Sequence, residues 1–339
     1  MKQLPDLRGR STAETEEFCV SLGGTPHQAR AVLRAVFRDG AESTDEIPVA
    51  ARLKALLAGR CRISTLSIET ALQSEDGTRK FLYRLPDGET VEGVLIPERA
   101  RRTLCVSTQV GCRSACRFCV TGMSGFVRNL TAAEMTGQVI AAQRAAGCRI
   151  TNIVLMGCGE PLDNFDAVSR FAGIAADPLG FGIPPGRITL STSGITPEIA
   201  RMPRELDVRL AVSLNAADDE TRSRVMPINR KHPLAELMQA LRAYGETGRR
   251  VLIEYVLLSG VNDSVSDAEN LAALLHGLNC MVNLLLFNPQ TDLPYRRPDE
   301  LSARRFQKAL LDAGYVSVLR DSRGIDIAAA CGQLRAAMA

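Results

Sequence analysis

Hydrophobic and polar positions divide the chain into stretches with different periodicities. Helical spacing occupies three segments near the start, at residues 12–23, 25–40 and 48–59. We therefore expect a helical accessory domain over residues 1–60. Residues 61–97 alternate between apolar and polar positions, and two Asp-Gly pairs, in EDGT and PDGE, favour hairpin turns between the alternating runs. This pattern predicts a β-hairpin linker.

Apolar segments rich in β-branched residues then alternate with amphipathic helices. Six such strand candidates occur, at residues 103–108, 150–156, 187–192, 208–214, 251–258 and 281–287. One intervening helix opens with a capping box formed by Thr131 and Glu134. Strands that are apolar on both faces and alternate with helices are typical of parallel βα units. The sequence predicts an α/β fold, a partial (β/α)6 barrel over residues 98–322 followed by a C-terminal segment, residues 323–339, with ligands at the carboxyl ends of the strands.

The composition is that of an ordinary globular protein. Hydrophobic residues make up 45% of the 339 residues and charged residues 23%. No apolar run reaches the roughly 18 residues that a membrane helix requires, and the polar, charged first residues do not form a signal peptide. Ten cysteines, three of them clustered, fit a reducing compartment in which thiolates bind metals or act in catalysis. We expect a cytoplasmic protein that does not associate with membranes.

Three of the cysteines, Cys112, Cys116 and Cys119, fall within the stretch CRSACRFCVTG. A disulfide framework uses an even number of cysteines, and tetrahedral zinc needs a fourth protein ligand that the sequence after Cys119 lacks. The three thiolates would therefore leave one coordination position of a metal centre open. Because the loop follows the first predicted strand of the barrel, it should lie at the ligand-binding end.

This Cys-x3-Cys-x2-Cys loop, with Phe118 before its last cysteine, resembles the radical S-adenosylmethionine (SAM) superfamily. The resemblance implies that the three cysteines hold a 4Fe-4S cluster, that SAM chelates the remaining iron, and that reduction cleaves SAM to a 5′-deoxyadenosyl radical. Polar motifs at later strand ends, MGCGEP, STSG, SLN and FNP, are similar to the cofactor-binding motifs of the superfamily. The SAM-binding residues they imply are Gly159, Glu160, Ser191, Ser213, Leu214, Asn215 and Asn288.

Further segments resemble the RlmN/Cfr family of radical methyl synthases, which methylate an adenine ring carbon in ribosomal RNA. They are LCVSTQVGC, GFVRNLTAAE, RVMPIN, IEYVLLSGVND, VEGVLIP and RGIDIAAACGQL, and the resemblance covers nearly the whole chain. It implies that Cys331 carries a methyl group taken from one SAM molecule and that a radical made from a second SAM activates this methyl. Release would then use Cys105 as the resolving thiol, through a transient disulfide, and Glu92 as the acid or base. This indirect route through a methylated cysteine is needed because an adenine ring carbon is a poor nucleophile.

Several activities remain open within this resemblance. The leading one is methylation of adenine C2 in 23S rRNA, with tRNA as a further substrate. A C8 methylase of the Cfr type, or a paralogue acting on another RNA, would use the same residues. A radical SAM activase or peptide-modifying enzyme would have no use for Cys105 and Cys331 together, and a non-catalytic RNA-binding homologue should have a degraded cluster loop. Asn215, Cys158 and Asp321 stand where the family usually has His, Met and Lys, which leaves the chemistry intact and the RNA target open.

The implied reaction has two kinds of partner. These are RNA, as rRNA and possibly tRNA, and an electron donor such as flavodoxin or ferredoxin; we expect the enzyme to be a monomer. The net charge of +3 is too small to indicate nucleic-acid binding by itself. Basic residues of the N-terminal helices fit phosphate contacts and equally a solvated face; they are Arg30, Arg34, Arg38, Arg52, Lys54 and Arg60.

Overall fold

The computed structural model describes residues 4–290 and 293–334. Residues 1–3 and 335–339, which belong to the predicted terminal segments, lie outside this part. The α-helices of the described residues are α1 (Thr12–Ser21), α2 (Pro26–Arg34), α3 (Ala51–Arg60), α4 (Val120–Met123), α5 (Ala132–Ala146), α6 (Phe165–Ala176), α7 (Thr196–Glu205), α8 (Asp219–Val225), α9 (Leu234–Glu246), α10 (Val265–Leu274) and α11 (Glu300–Asp312). No helix among them is long and apolar enough to span a membrane.

The strands of the same residues are β1 (Ser67–Gln73), β2 (Arg79–Arg84), β3 (Thr90–Glu98), β4 (Arg101–Cys105), β5 (Gln109–Gly111), β6 (Phe126–Asn129), β7 (Asn152–Leu155), β8 (Ile188–Thr192), β9 (Arg209–Ser213), β10 (Val251–Leu257), β11 (Cys280–Leu286) and β12 (Ser317–Arg320). Ten of them form one sheet, in the order β1-β2-β3-β4-β7-β8-β9-β10-β11-β12, and β5 and β6 form an antiparallel pair. The six predicted strands are β4 and β7 to β11, and each pairs in parallel with its neighbour in this run. The α/β prediction is therefore confirmed, while β12, which adds a further parallel strand beside β11, was not predicted.

Burial along β10 shows how the sheet makes room for a ligand. Val251, Ile253 and Tyr255 are buried in the main hydrophobic core. The alternate positions are only half-buried, and two of them, Glu254 and Val256, line a cavity. Because successive side chains of a strand point to opposite faces, one face of the sheet packs in the core and the other is left open for binding.

The predicted hairpin region is built into the same sheet. Strands β1 to β3 run antiparallel, and β3 pairs with β4, so the hairpins extend the barrel sheet at its edge. Both Asp-Gly turns are present: Gly77 and Gly88 have φ of +83° and +94°, as tight hairpin turns require. In the register of β3 and β4, Val94 lies opposite Cys105, which brings the hairpins next to the first barrel strand.

The predicted helices are also present. The three N-terminal helices and the helices between the barrel strands occur where the periodicity indicated them. Helix α5 begins with its capping box, in which Thr131 Oγ1 accepts a hydrogen bond from Glu134 N and the Glu134 carboxylate accepts one from Thr131 N. The boundaries of the predicted domains stay predictions, since the buried side chains of the N-terminal helices and of the barrel form one continuous core.

Candidate active site

The three clustered cysteines line one cavity at the carboxyl ends of the parallel strands. They lie on the loop between β5 and α4, whose start is held by a hydrogen bond of 2.7 Å from Cys112 N to Gly125 O. Burial raises the pKa of Cys112 to about 12 and the pKa of Cys116 well above its ordinary value. Thiols in such surroundings ionise only beside a positive charge, which a bound metal centre provides.

The arrangement of these thiols distinguishes two kinds of metal centre. In the part of the chain that the structure describes, no group of three or more His, Cys, Asp or Glu side chains surrounds a single metal-ion position. Three sulfur ligands spread around a shared cavity suit an iron-sulfur cluster, which is wider than one ion and is held by thiolates. The residues present therefore fit the centre that the loop sequence implies.

The loop after β7 brings Gly159 and Glu160 to the cavity wall. Gly159 has a φ of +112°, and a Cβ at this position would lie 2.7 Å from Gln109 Cβ, so the close approach requires glycine. The Glu160 carboxylate accepts hydrogen bonds from Ser193 N and Ser193 Oγ, both at 2.7 Å, and from Leu162 N at 3.0 Å. Burial raises the pKa of Glu160, although these hydrogen bonds oppose the shift. A buried carboxylate in this place suits recognition of an ammonium group.

Arg222, on α8, joins the ends of β8 and β9. Its guanidinium donates hydrogen bonds to Ser193 O at 2.6 Å, to Leu214 O at 3.0 Å and to Asn229 Oδ1 at 2.8 Å. The side chain is fully buried, and burial lowers the pKa of Arg222 to about 10. Ser193 also lies 2.9 Å, Oγ to Oγ, from Ser114 in the cysteine loop. Arg222 was not predicted, because nothing in the sequence separates a buried arginine from the exposed ones around it; Ser193 belongs to the STSG motif, of which only Ser191 was singled out.

The predicted SAM-binding residues fall into two groups. Those that line the cavity are Gly159, Glu160, Ser191, Ser213 and Asn288. Leu214 and Asn215 are not among the lining residues, and their contact with SAM stays a prediction; Leu214 packs in the main core. Asn215 adopts a left-handed backbone conformation, with a φ of +58°, and its Oδ1 accepts a hydrogen bond of 2.7 Å from Val256 N. Its amide therefore stabilises the loop after β9.

Cys331 is an exposed residue that lines the same cavity as the three clustered cysteines. Desolvation of its thiol raises the pKa of Cys331 to about 11, and the nearby Glu254 carboxylate adds to this shift. Glu254 lies on the cavity wall and accepts a hydrogen bond of 2.9 Å from Asn283 Nδ2. Glu254 was not predicted as a site residue, since a single acidic residue within a strand does not indicate which face of the sheet it occupies.

Backbone contacts fix the chain around Cys331. Val120 N, at the start of α4, donates a hydrogen bond of 2.9 Å to Gly332 O. Asn288 Nδ2, after β11, donates one of 3.3 Å to Cys331 O. The predicted methyl carrier is thus tied to the cysteine loop on one side and to the last predicted barrel strand on the other.

Cys105 and Glu92 do not line the cavity but lie beside the C-terminal segment. Cys105 packs in a small hydrophobic cluster with Val94 and Ala329. Burial raises the pKa of Cys105, and the nearby Cys331 adds to the shift. All ten cysteines lie within the described residues and all are free thiols, so a disulfide bond as a standing feature of the protein is not supported; the transient one that the family resemblance implies stays a prediction.

Comparisons with known proteins show the family of the chain. The sequence model of the Radical SAM superfamily matches residues 106–275. A chain from Geobacter sulfurreducens named dual-specificity RNA methyltransferase RlmN is 47% identical over 99% of this chain and 93% of its own length. The chain belongs to the RlmN family of radical SAM proteins.

Two further relatives show that the likeness extends over the whole fold. A second RlmN, from Rhodospirillum rubrum, is 46% identical over 97% of this chain and 80% of its own length. The crystal structure of a radical SAM methyltransferase from Sphaerobacter thermophilus has a TM-score of 0.92 and 46% identity, covering 98% of this chain and 99% of the other. Membership of this family implies SAM and an iron-sulfur centre as cofactors, in agreement with the donor set of the cavity.

Proposed function

We propose that the chain is a radical SAM methyltransferase that methylates a ring carbon of adenine in RNA, with C2 in 23S rRNA as the leading target and tRNA as a second. The observation that carries the proposal is the position of Cys331, on the wall of the cavity that Cys112, Cys116 and Cys119 line. The names of the relatives, dual-specificity RNA methyltransferases, support RNA as the substrate.

The cavity offers separate places for the cofactors. The three clustered cysteines would hold a 4Fe-4S cluster, and Glu160 and Asn288 would contact SAM. When bound, the cluster supplies the electron that cleaves SAM and so allows hydrogen to be removed from a methyl group held at Cys331. A flavodoxin or ferredoxin would deliver that electron, and the chain would act as a monomer.

Three residues would carry the covalent steps. The sulfur of Cys331 takes a methyl group from one SAM molecule and loses its proton. After the activated carbon has joined the adenine ring, Glu92 would accept the proton of the ring carbon, and the adduct radical would give up one electron to the oxidised iron-sulfur centre or an external one-electron acceptor, which restores the aromatic ring. Cys105 then attacks the sulfur of Cys331: the sulfur-sulfur bond forms, the carbon-sulfur bond breaks with its electron pair left on carbon, and the proton lost by Cys105 completes the methyl group. An external dithiol reduces the disulfide before the next turnover.

Nucleoside mass spectrometry tests the proposal. RNA from cells that lack this gene is treated anaerobically with reconstituted protein, SAM and a reductant, and we expect 2-methyladenosine. Detection of 8-methyladenosine would assign the other ring carbon. Formation of deoxyadenosine without any methylated adenine on rRNA or tRNA would overturn the substrate.

A matched pair of cysteine variants tests the methyl carrier. We expect Cys331→Ala to keep its iron and sulfide content while producing no methyladenosine, because it has no sulfur to hold the methyl group. Cys280→Ala serves as the control, since Cys280 begins β11 at the end of the barrel away from the cavity. Methyladenosine formed by Cys331→Ala would contradict the mechanism.

A further inference from the structure

Lys80, on β2, contacts two separate parts of the proposed site. Its Nζ lies 3.2 Å from Glu92 Oε1 and donates a hydrogen bond, also of 3.2 Å, to Ala328 O. Ala328 stands three residues before Cys331. The two charged side chains are only 13% and 11% exposed, so the ion pair is largely removed from solvent. Lys80 is therefore held inside the protein and does not present a free cation to RNA phosphates.

The register of the hairpin strands explains the contact between Lys80 and Glu92. Lys80 lies opposite Val94 and Glu92 lies opposite Leu82, so Lys80 and Glu92 are diagonal neighbours on one face of the β2-β3 pair. Val94 lies in turn opposite Cys105 on β4. One face of three adjacent strands thus carries the ammonium, the proposed base and the proposed resolving thiol.

The C-terminal segment packs against the same face. Ala329 joins Val94 and Cys105 in one small hydrophobic cluster. The hydrogen bond from Lys80 to Ala328 O adds a polar contact at the edge of this cluster. A single side chain therefore links the proposed base to the backbone that leads into the methyl carrier.

We propose that Lys80 is a positioning residue for the release step, an inference that rests on the proposed function. Its ammonium holds the Glu92 carboxylate in one orientation by a charge-assisted hydrogen bond. By binding Ala328 O at the same time, it sets the distance between that carboxylate and the adenine joined to Cys331. The bonds that form and break are those of the proposed function, and Lys80 itself exchanges no proton.

Three variants separate this role from a general effect on folding. Lys80→Met keeps most of the apolar stem, which packs along the sheet, and loses both polar contacts. Lys80→Arg keeps a cation that can reach the carboxylate. Asp326→Asn weakens a different bond to the same segment, the 2.6 Å bond from Ser74 Oγ to Asp326 Oδ1, without touching Glu92.

The experiment is a single-turnover reaction with three readouts: S-methylation of Cys331, the covalent adduct between protein and RNA, and released methyladenosine. For Lys80→Met we expect S-methylation close to that of the wild type, accumulation of the adduct, and release slowed roughly tenfold or more, because the base is misplaced. Lys80→Arg should restore most of the release. Asp326→Asn should lower all three readouts together without accumulating adduct.

Other outcomes overturn the inference in distinguishable ways. Release at the wild-type rate by Lys80→Met would overturn it and leave the proposed function standing. A parallel fall of all three readouts in Lys80→Met, without rescue by Lys80→Arg, would also overturn it, because that pattern indicates a structural role only. Thermal unfolding of each variant shows whether the fold is weakened. If Lys80→Met does not fold, Lys80→Gln replaces it. If the wild type itself forms neither adduct nor methyladenosine, the proposed function falls, and the inference with it.

Discussion

Asp76 Oδ2 accepts a hydrogen bond of 3.0 Å from Gly324 N, although the two residues are 248 positions apart in the sequence. The turn between β1 and β2 thereby holds the start of the segment that carries Cys331. A second bond of 2.6 Å, from Ser74 Oγ to Asp326 Oδ1, joins the same two parts in the opposite direction. The position of the proposed methyl carrier thus depends on a hairpin turn that lies outside the cavity.

Acid should weaken this contact. Burial opposes ionisation of Asp76, but hydrogen bonds from Thr78 and Gly324 outweigh it and lower the pKa of Asp76 to about 2. Since an aspartate in an unfolded chain has a pKa of about 3.9, ionised Asp76 stabilises the fold above that pH and loses its effect as the pH falls toward 2. The difference in unfolding free energy between the wild type and Asp76→Asn should therefore shrink over this window. If denaturant titrations find the same difference from neutral pH down to about pH 2, Asp76 is not the group that stabilises the fold in this way.

Replacing Gly324 should displace the segment. Gly324 has a φ of +63°, and an added Cβ would lie 2.8 Å from Ala329 Cβ. We expect Gly324→Ala to lower the unfolding free energy by more than the roughly 1–2 kcal/mol of a left-handed alanine, and to speed alkylation of Cys331. In Gly260→Ala, the control, φ is +70° but nothing lies within 4 Å of the added Cβ. Equal effects of the two substitutions on Cys331 alkylation would argue against a tightly held segment.

Ser193→Ala should weaken SAM binding. The substitution removes the 2.7 Å hydrogen bond from Ser193 Oγ to the buried Glu160 carboxylate, which then accepts an ammonium group in a poorer orientation. Because hydrogen bonds to charged groups contribute about 1.5–3 kcal/mol, we expect the dissociation constant to rise roughly tenfold or more, measured by equilibrium dialysis. Ser317→Ala is the control, since the buried Ser317 hydroxyl has no hydrogen-bond partner among the described residues. Unchanged affinity in Ser193→Ala would mean that Glu160 does not need this donor.

Arg222→Met should destabilise the fold strongly. The substitution removes the hydrogen bonds to the carbonyl oxygens of Ser193 and Leu214 and leaves these buried acceptors without them. We expect a loss of about 1–3 kcal/mol in the free energy of unfolding for each buried acceptor left unpaired. Arg224→Met, on the exposed side of the same helix, should cost less than about 0.5 kcal/mol. Similar losses in the two variants would show that Arg222 does not hold the strand ends together.

Much of the fold was predictable because the relevant contacts are local. The capping box of α5 joins Thr131 and Glu134, three positions apart, and the hairpin turns follow from glycines that directly succeed aspartates. The apolar runs of the six parallel strands are visible in the composition, although only one face of β7, β8 and β10 is fully buried and the other is half-buried. By contrast β12 spans only Ser317–Arg320 and keeps most of its side chains partly or fully exposed, so it lacks that pattern.

The reactive groups can be identified from the amino-acid sequence: a three-cysteine loop after the first barrel strand, a glycine-glutamate pair after the second, and two further cysteines with a glutamate in segments that resemble one family. The contacts between side chains follow from the tertiary structure. It places the Asn215 amide against Val256 N, buries Arg222 between two strand ends, and brings Lys80 to both Glu92 and Ala328. These contacts depend on strand register and on the packing of residues far apart in the chain. Local periodicity does not encode either of them, because it reports only which face of its own element a residue occupies.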